Sequence, residues 1–222
     1  MRVLDSGSIE IIETWGSDER IIESARMSTN KGFQGWETDQ KLLAFLWNNK
    51  HHTPFEMAGA TIEVKAPIFV FREWHRHRTQ SYNEMSARYI PLPDENYLPT
   101  VERCIPPPTQ NKQAQGTGAI PTENDVKQWL MNLDDAYDHV QRVYENGLTL
   151  GIPKEVARLP IPVARYSKMR ASANLRNWLG FLALRNAPNA QWEIREYAIT
   201  LEGLLSLVFP RTLELFGAEH GR

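Results

Sequence analysis

A single α+β unit with a large helical share is predicted by three features of the amino-acid sequence. Short stretches that alternate apolar and polar residues are interleaved with longer ones whose apolar residues recur every three or four positions. No internal repeat and no break in composition divides the chain. Its 222 residues, 41% of them hydrophobic, suffice for one substantial core.

Taken in order, Arg2 to Asp5 and Ile9 to Thr14 read as two short strands around a turn at Ser6-Gly7-Ser8. Ser17-Asp18 caps a helix through about Ala25. Met27 to Thr38 is polar with two glycines and reads as a loop. Leu42, Leu43, Leu46 and Trp47 give Asp39 to Trp47 helical spacing, and Pro54 pushes Thr53 out of helical geometry. Thr61 to Lys65 alternates like a half-buried strand. Pro67 then suits the first turn of a helix whose apolar side is Ile68, Val70, Phe71 and Trp74.

From Pro91 to Pro121 the chain is rich in proline, glutamine and glycine, and a loop of that length in a compact domain is functional or mobile. Thr122 with Asp125 opens the clearest helix, striped by Val126, Leu130, Leu133, Tyr137, Val140 and Tyr144 and ended by Asn146-Gly147. A short helix from Pro153 is stopped by Pro160 and Pro162, and Val163 to Met169 alternates as a strand. Asn174 caps a helix with Leu175, Trp178, Leu179 and Leu182 inward. A last long helix runs from about Ala190 to Val208, halted by Pro210.

Composition excludes several classes. No apolar run approaches the ~20 residues that span a bilayer, and the start lacks the hydrophobic stretch of a secretion signal, so no membrane partner is expected. A single cysteine, Cys104, rules out an internal disulfide and fits a reducing cytoplasm. A net charge of −2 argues against a general nucleic-acid binder. Phosphate-loop, dinucleotide-turn, zinc-protease and serine-hydrolase motifs are absent. His75 and His77 are two apart and diverge on a helix, so no metal site is expected.

The chemistry concentrates instead in Arg76 to Tyr89, which holds three arginines and one clear hydrophobe, Met85. Its side chains want partners or water, and it is delivered at the end of a strand-helix unit, where binding groups tend to be held. Consecutive Arg76, His77 and Arg78 point in three directions on a helix, which suits a ligand with several anionic groups, or two ligands meeting. Arg185, three residues after Leu182, points to the apolar side of its own helix. Ser86 has no visible base beside it and suits donation to a phosphate rather than attack.

These residues resemble the signature of the flavin-dependent thymidylate synthases: Arg76-His77-Arg78, seven residues, then Ser86. The resemblance extends to His51–Glu56, Val64–Val70, Asn83-Glu84, Ser86–Tyr89, Leu182–Arg185 and Ala190–Glu193, and so covers most of the chain. It implies a helical bundle packed on a mainly antiparallel sheet, one domain over residues 1–222, assembled as a homotetramer with active sites between subunits. FAD as cofactor, NADPH as reductant, methylenetetrahydrofolate as carbon donor and deoxyuridine monophosphate (dUMP) as acceptor are likewise implied.

By the same likeness Arg76, His77 and Arg78 would hold FAD, with Thr53, Glu56, Glu84, Asn174, Arg176 and Ser28 adding contacts. Ser86, Arg88 and Arg158 would hold the nucleotide phosphate or sugar, with Arg76 and Glu84 also on the substrate side. Arg185 would sit against the uracil ring, where a guanidinium cannot act as a proton acid but can stabilise developing negative charge. His51 and Tyr89 would line the folate side. Three positions depart from the pattern: Glu73 for a common glutamine, Gly180 for an asparagine and Asn189 for a histidine. Two other classes stay open on the residues alone: a transferase using Cys104, and a non-catalytic nucleotide- or RNA-binding module using the arginines.

Overall fold

A computed structural model describes residues 1–106, 114, 116 and 118–221. Its frame is one five-stranded sheet: β1 (Arg2–Val3), β2 (Gly7–Trp15), β3 (Gly59–Pro67), β4 (Ser81–Glu84) and β5 (Tyr166–Asn174), in the order β1-β2-β3-β5-β4. Every pairing is antiparallel, as expected. Helices cover one face of the sheet, and the sequence period shows why. On β3, Ala60, Ile62, Val64 and Ala66 are buried while Thr61, Glu63 and Lys65 look outward. On β5, Met169 and Ala171 sit opposite Val64 and Ile62, whereas Lys168 and Arg170 flank Glu63 on the open face.

The covered face carries helices α1 (Asp18–Arg26), α2 (Trp36–Asn48), α3 (Ile68–Trp74), α7 (Leu175–Arg185), α8 (Trp192–Ser206) and α9 (Pro210–Glu219). Ser17 caps α1 and Asn174 caps α7, each side chain accepting from the backbone N–H three residues on. Leu175, Trp178, Leu179 and Leu182 are all buried, as their spacing requires. Trp74 and Phe181 pack with ring centroids 4.5 Å apart, and Trp178 Nε1 donates to the carbonyl of Ala60 at 2.9 Å. α1 and α9 are joined by a buried carboxylate: Asp18 accepts from the backbone N–H of Arg211 at 2.8 Å and the hydroxyl of Thr212 at 2.6 Å.

Helix α5 (Glu123–Thr149) opens with the Thr122–Asp125 capping box and packs beside the short α6 (Lys154–Ala157). It runs past the expected stop at Asn146-Gly147. Gly147 is buried against α6, where an added Cβ would make ordinary contact with Ala157 at 3.4 Å. Arg165 is fully buried, donating to Pro93 O at 2.7 Å, Asp94 at 3.0 Å and Gln141 at 2.8 Å, which ties the 93–96 segment and α5 to the start of β5.

Several boundaries differ from the sequence reading. The expected loop Met27–Thr38 holds a 3₁₀ turn, Met27–Thr29, and the first residues of α2. Thr53, expected outside helical geometry, begins a 3₁₀ turn over Thr53–Met57 in which Pro54 occupies a first-turn position. Pro210, read as a stop, opens α9 for the same reason. Val163 and Ala164 form a turn and Arg165 an isolated bridge to Asn96, so β5 begins only at Tyr166 and extends to Asn174. The polar run contains β4, an edge strand on β5, which its composition hides because pairing rather than propensity forms it. Arg76, His77 and Arg78 follow the end of α3 in a turn, not on a helix. The Pro91–Pro121 segment contains α4 (Val101–Cys104), and residues 107–113, 115 and 117 of that expected loop lie outside the described residues.

Candidate functional site

The expected site residues fall into three groups in one chain. The first lies at the start of α7. Glu56, from the 3₁₀ turn, pairs with Arg176, and the Asn174 Oδ1 that caps the helix accepts from Asn177 N at 3.0 Å. Thr53 heads the same turn, on which α1 packs. His51 precedes it, exposed, with its ring edge-on to Phe45 at 5.6 Å. Ser28 is exposed just beyond α1 and donates to Ala25 O at 3.2 Å.

The second group lies at the far end of α7, about 16 Å away for a helix of eleven residues. Arg185 is held there by three hydrogen bonds: Nε to His77 Nε2 at 2.8 Å, one terminal nitrogen to Glu73 Oε2 at 2.8 Å and the other to Glu73 O at 2.7 Å. The bonds explain its position at a helix end without recourse to its own helix's carbonyls. The ring of His77 stands edge-on to Phe181 at 4.9 Å. Burial above all, then the Arg185 cation, pushes His77 down to about 4, with Glu73 opposing, so the ring is neutral near pH 7.

The turn after α3 runs between these groups alongside α7, anchored where Asn177 Nδ2 donates to Thr79 O at 3.1 Å. Tyr82 OH closes the turn by donating to His77 O at 2.6 Å. Arg76 and Arg78 project from it, exposed and without an ion pair among the described residues. Two free guanidiniums on a fixed turn suit the pyrophosphate of a dinucleotide such as FAD. The Asn174 Oδ1 and the Glu56–Arg176 pair are already engaged within the chain. Gly180 leaves open space, since an added Cβ would meet nothing within 4 Å.

The third group lies beyond the other end of β4. Ser86 Oγ accepts from Arg88 N at 3.3 Å, Arg88 Nε pairs with Glu155 at 3.1 Å, and Lys154 Nζ donates to Tyr89 O at 2.7 Å. Arg158 caps the C-terminus of α6, so Ser86, Arg88, Tyr89 and Arg158 are brought together. Glu84 ends β4, half-buried on the same face as Tyr82. Tyr89 and His51, expected on one folate side, fall in different groups, and no hydrogen bond or ring contact joins them.

Beside Arg185 a cleft of about 1080 Å³ opens, bordered by Glu73, Arg103, Gln191, Trp192 and Arg195. Cys104 ends α4 near it, half-buried, and burial pushes its thiol up. Among the described residues no cluster of histidine, cysteine and carboxylate could hold a metal, and no helix is long and apolar enough to cross a membrane.

A family profile described as "Thymidylate synthase complementing protein" matches residues 10–211. The flavin-dependent thymidylate synthase of Anaplasma marginale is 37% identical over 99% of this chain and 75% of its own length. That of Thermosipho africanus is 35% identical over 97% and 92%. The chain belongs to the flavin-dependent thymidylate synthase family. Crystal structures of the UMP/dUMP methylase PolB from Streptomyces cacaoi share its fold. The form bound with 5-Br UMP has a TM-score of 0.85 at 31% identity, covering 98% of this chain and 95% of that one. The form bound with 5-Br dUMP has a TM-score of 0.86 at 30% identity.

For a member of the flavin-dependent thymidylate synthase family, the sequence reading missed four partners: Thr79, Lys154, Glu155 and, above all, Glu73 as the holder of Arg185. The only signal for Glu73 was its charge, noted as a departure; its partner is 112 residues away and no spacing rule connects them.

Proposed function

We propose that this protein is an FAD-dependent thymidylate synthase that methylates dUMP to thymidine monophosphate. The one-carbon unit comes from methylenetetrahydrofolate, and the two electrons that reduce it to a methyl group come from NADPH through FAD. The observation that carries the reading is the fixed Arg185 guanidinium beside an open cleft, in a chain of this family. Bound FAD would accept a hydride from the reductant and pass reducing equivalents to the carbon unit.

The chain's own residues bind and orient. Arg76 and Arg78 hold the pyrophosphate of FAD, with His77 in the same turn and Thr53, Glu56, Glu84, Asn174, Arg176 and Ser28 framing the rest. Ser86, Arg88 and Arg158 hold the nucleotide phosphate, and Arg185 donates N–H bonds to the uracil ring as negative charge develops there. His77, accepting at Nε2, keeps its proton on Nδ1 and fixes the guanidinium without competing for charge. His51 and Tyr89, in separate groups of one chain, line the folate side only if that side is completed by a second copy.

The homotetramer is carried over from the family resemblance. The Arg88–Arg158 group lies beyond β4 from the Arg76–Arg78 turn of its own chain, which leaves room for a second copy to complete a site. A cytoplasmic setting agrees with the single cysteine. The test is direct. Purified protein should absorb in the visible blue, lose that absorbance on addition of NADPH, and form thymidine monophosphate from dUMP and methylenetetrahydrofolate. Colourless protein that cannot be reconstituted with FAD and forms no product overturns the reading.

A further inference from the structure

We propose that Glu73 is a positioning residue that reserves Arg185 for an uncharged part of the substrate and so orients the nucleotide. This rests on the reading of Arg185 as the cation beside the uracil ring. Glu73 grips the guanidinium twice, through its carboxylate at 2.8 Å and its backbone carbonyl at 2.7 Å, and His77 takes a third N–H at 2.8 Å. Of the five N–H groups of arginine, two are left for a ligand.

The charge count at this corner decides what that ligand can be. At the guanidinium itself Arg185 is cationic, Glu73 anionic and His77 neutral, so these three sum close to zero. Of the other arginines bordering the cleft, Arg103 is paired with Glu193 and Arg195 donates to the carbonyl of Pro188. The Arg185 side chain is 16% exposed and that of Glu73 43%, so solvent reaches the carboxylate and screens the pair in part. A lone guanidinium on this cleft would draw the dianionic phosphate of a nucleotide in a bidentate embrace. A balanced one loses that attraction, yet still offers donors to a carbonyl oxygen, and those bonds strengthen as charge builds on the oxygen. The phosphate is left to arginines with weaker claims on them: Arg158, with no ion pair among the described residues, and Arg88, whose partner Glu155 is 55% exposed. A glutamine at position 73 could make the same hydrogen bond but could not cancel the charge.

The experiment titrates inorganic phosphate calorimetrically onto FAD-loaded protein: wild type, Glu73→Gln, Glu73→Asp, and Glu73→Gln combined with Arg185→Ala. Glu73→Gln should bind phosphate at least about tenfold more tightly, the effect on each unit of ligand charge of removing one charge roughly 6 Å away at an effective dielectric constant of about 40. Glu73→Asp should stay at the wild-type affinity, and the double variant should return to it. A purely structural role for Glu73 predicts no such gain. Unchanged or weaker phosphate binding by Glu73→Gln overturns the proposal, and Glu73→Ser gives the same contrast if the glutamine variant fails to load flavin. Failure of the underlying reading is separately visible, because Arg185→Ala would then still turn over dUMP whatever phosphate does.

Discussion

Arg185 Nε donates to Nε2 of His77 across 2.8 Å, and since arginine only donates, the proton of that histidine must sit on Nδ1. Protonating the ring would set two cations against each other inside a half-buried corner.

That arrangement makes stability depend on pH. His77 is pushed from 6.5 to about 4 in the folded chain, so between those values the unfolded chain binds more protons. Stability is therefore lost as pH falls from about 6.5 towards 4, by about 1–2 kcal/mol once partial solvent screening is allowed for. Urea midpoints across that window check it: His77→Gln should show a shallower decline than wild type.

Arg185→Ala removes the donors proposed for the uracil ring. Its turnover number should fall by about 10²–10³-fold, the usual loss for a preorganised donor, while the flavin-to-protein ratio stays at the wild-type level. Absorbance and single-turnover assays read the two separately, and unchanged turnover removes the role given to this arginine.

Asn174→Ala should destabilise the fold by about 1 kcal/mol, because its Oδ1 satisfies the backbone N–H of Asn177 at the head of α7. Asn174→Asp keeps the acceptor and should recover most of that loss. Thermal denaturation distinguishes the two. Loss of flavin in both variants would show a direct ligand contact in addition to the cap.

Cys104→Ala should leave turnover within twofold of wild type. The thiol is held above its ordinary value, by burial first and by the Glu193 carboxylate, against the Arg103 cation, so it is a poor nucleophile near neutral pH. Inactivation by this substitution would favour the alternative of a cysteine-dependent transferase.

Legibility in the sequence followed the range of the interaction. Caps and stripes are local, so Ser17, the Thr122–Asp125 box, Asn174 and the inward face of α7 were readable. β4 was not, because Ser81 to Glu84 become a strand only when β5, some ninety residues later, supplies the partner. Pro210 and Gly147 carried ambiguous signals: proline both ends and begins helices, and glycine both ends them and lets them touch. At the candidate site, the resemblance proposed residues but could not give their mutual contacts. The Arg88–Glu155 and Arg185–Glu73 pairs join segments 67 and 112 residues apart, which periodicity cannot connect.

The Asp18 carboxylate joins α1 to Arg211 and Thr212, residues nearly two hundred positions later. On a ribosome, the first helix is made long before those donors exist. The nascent chain must therefore keep that acid hydrated, or bonded elsewhere, until residues 211 and 212 have been made.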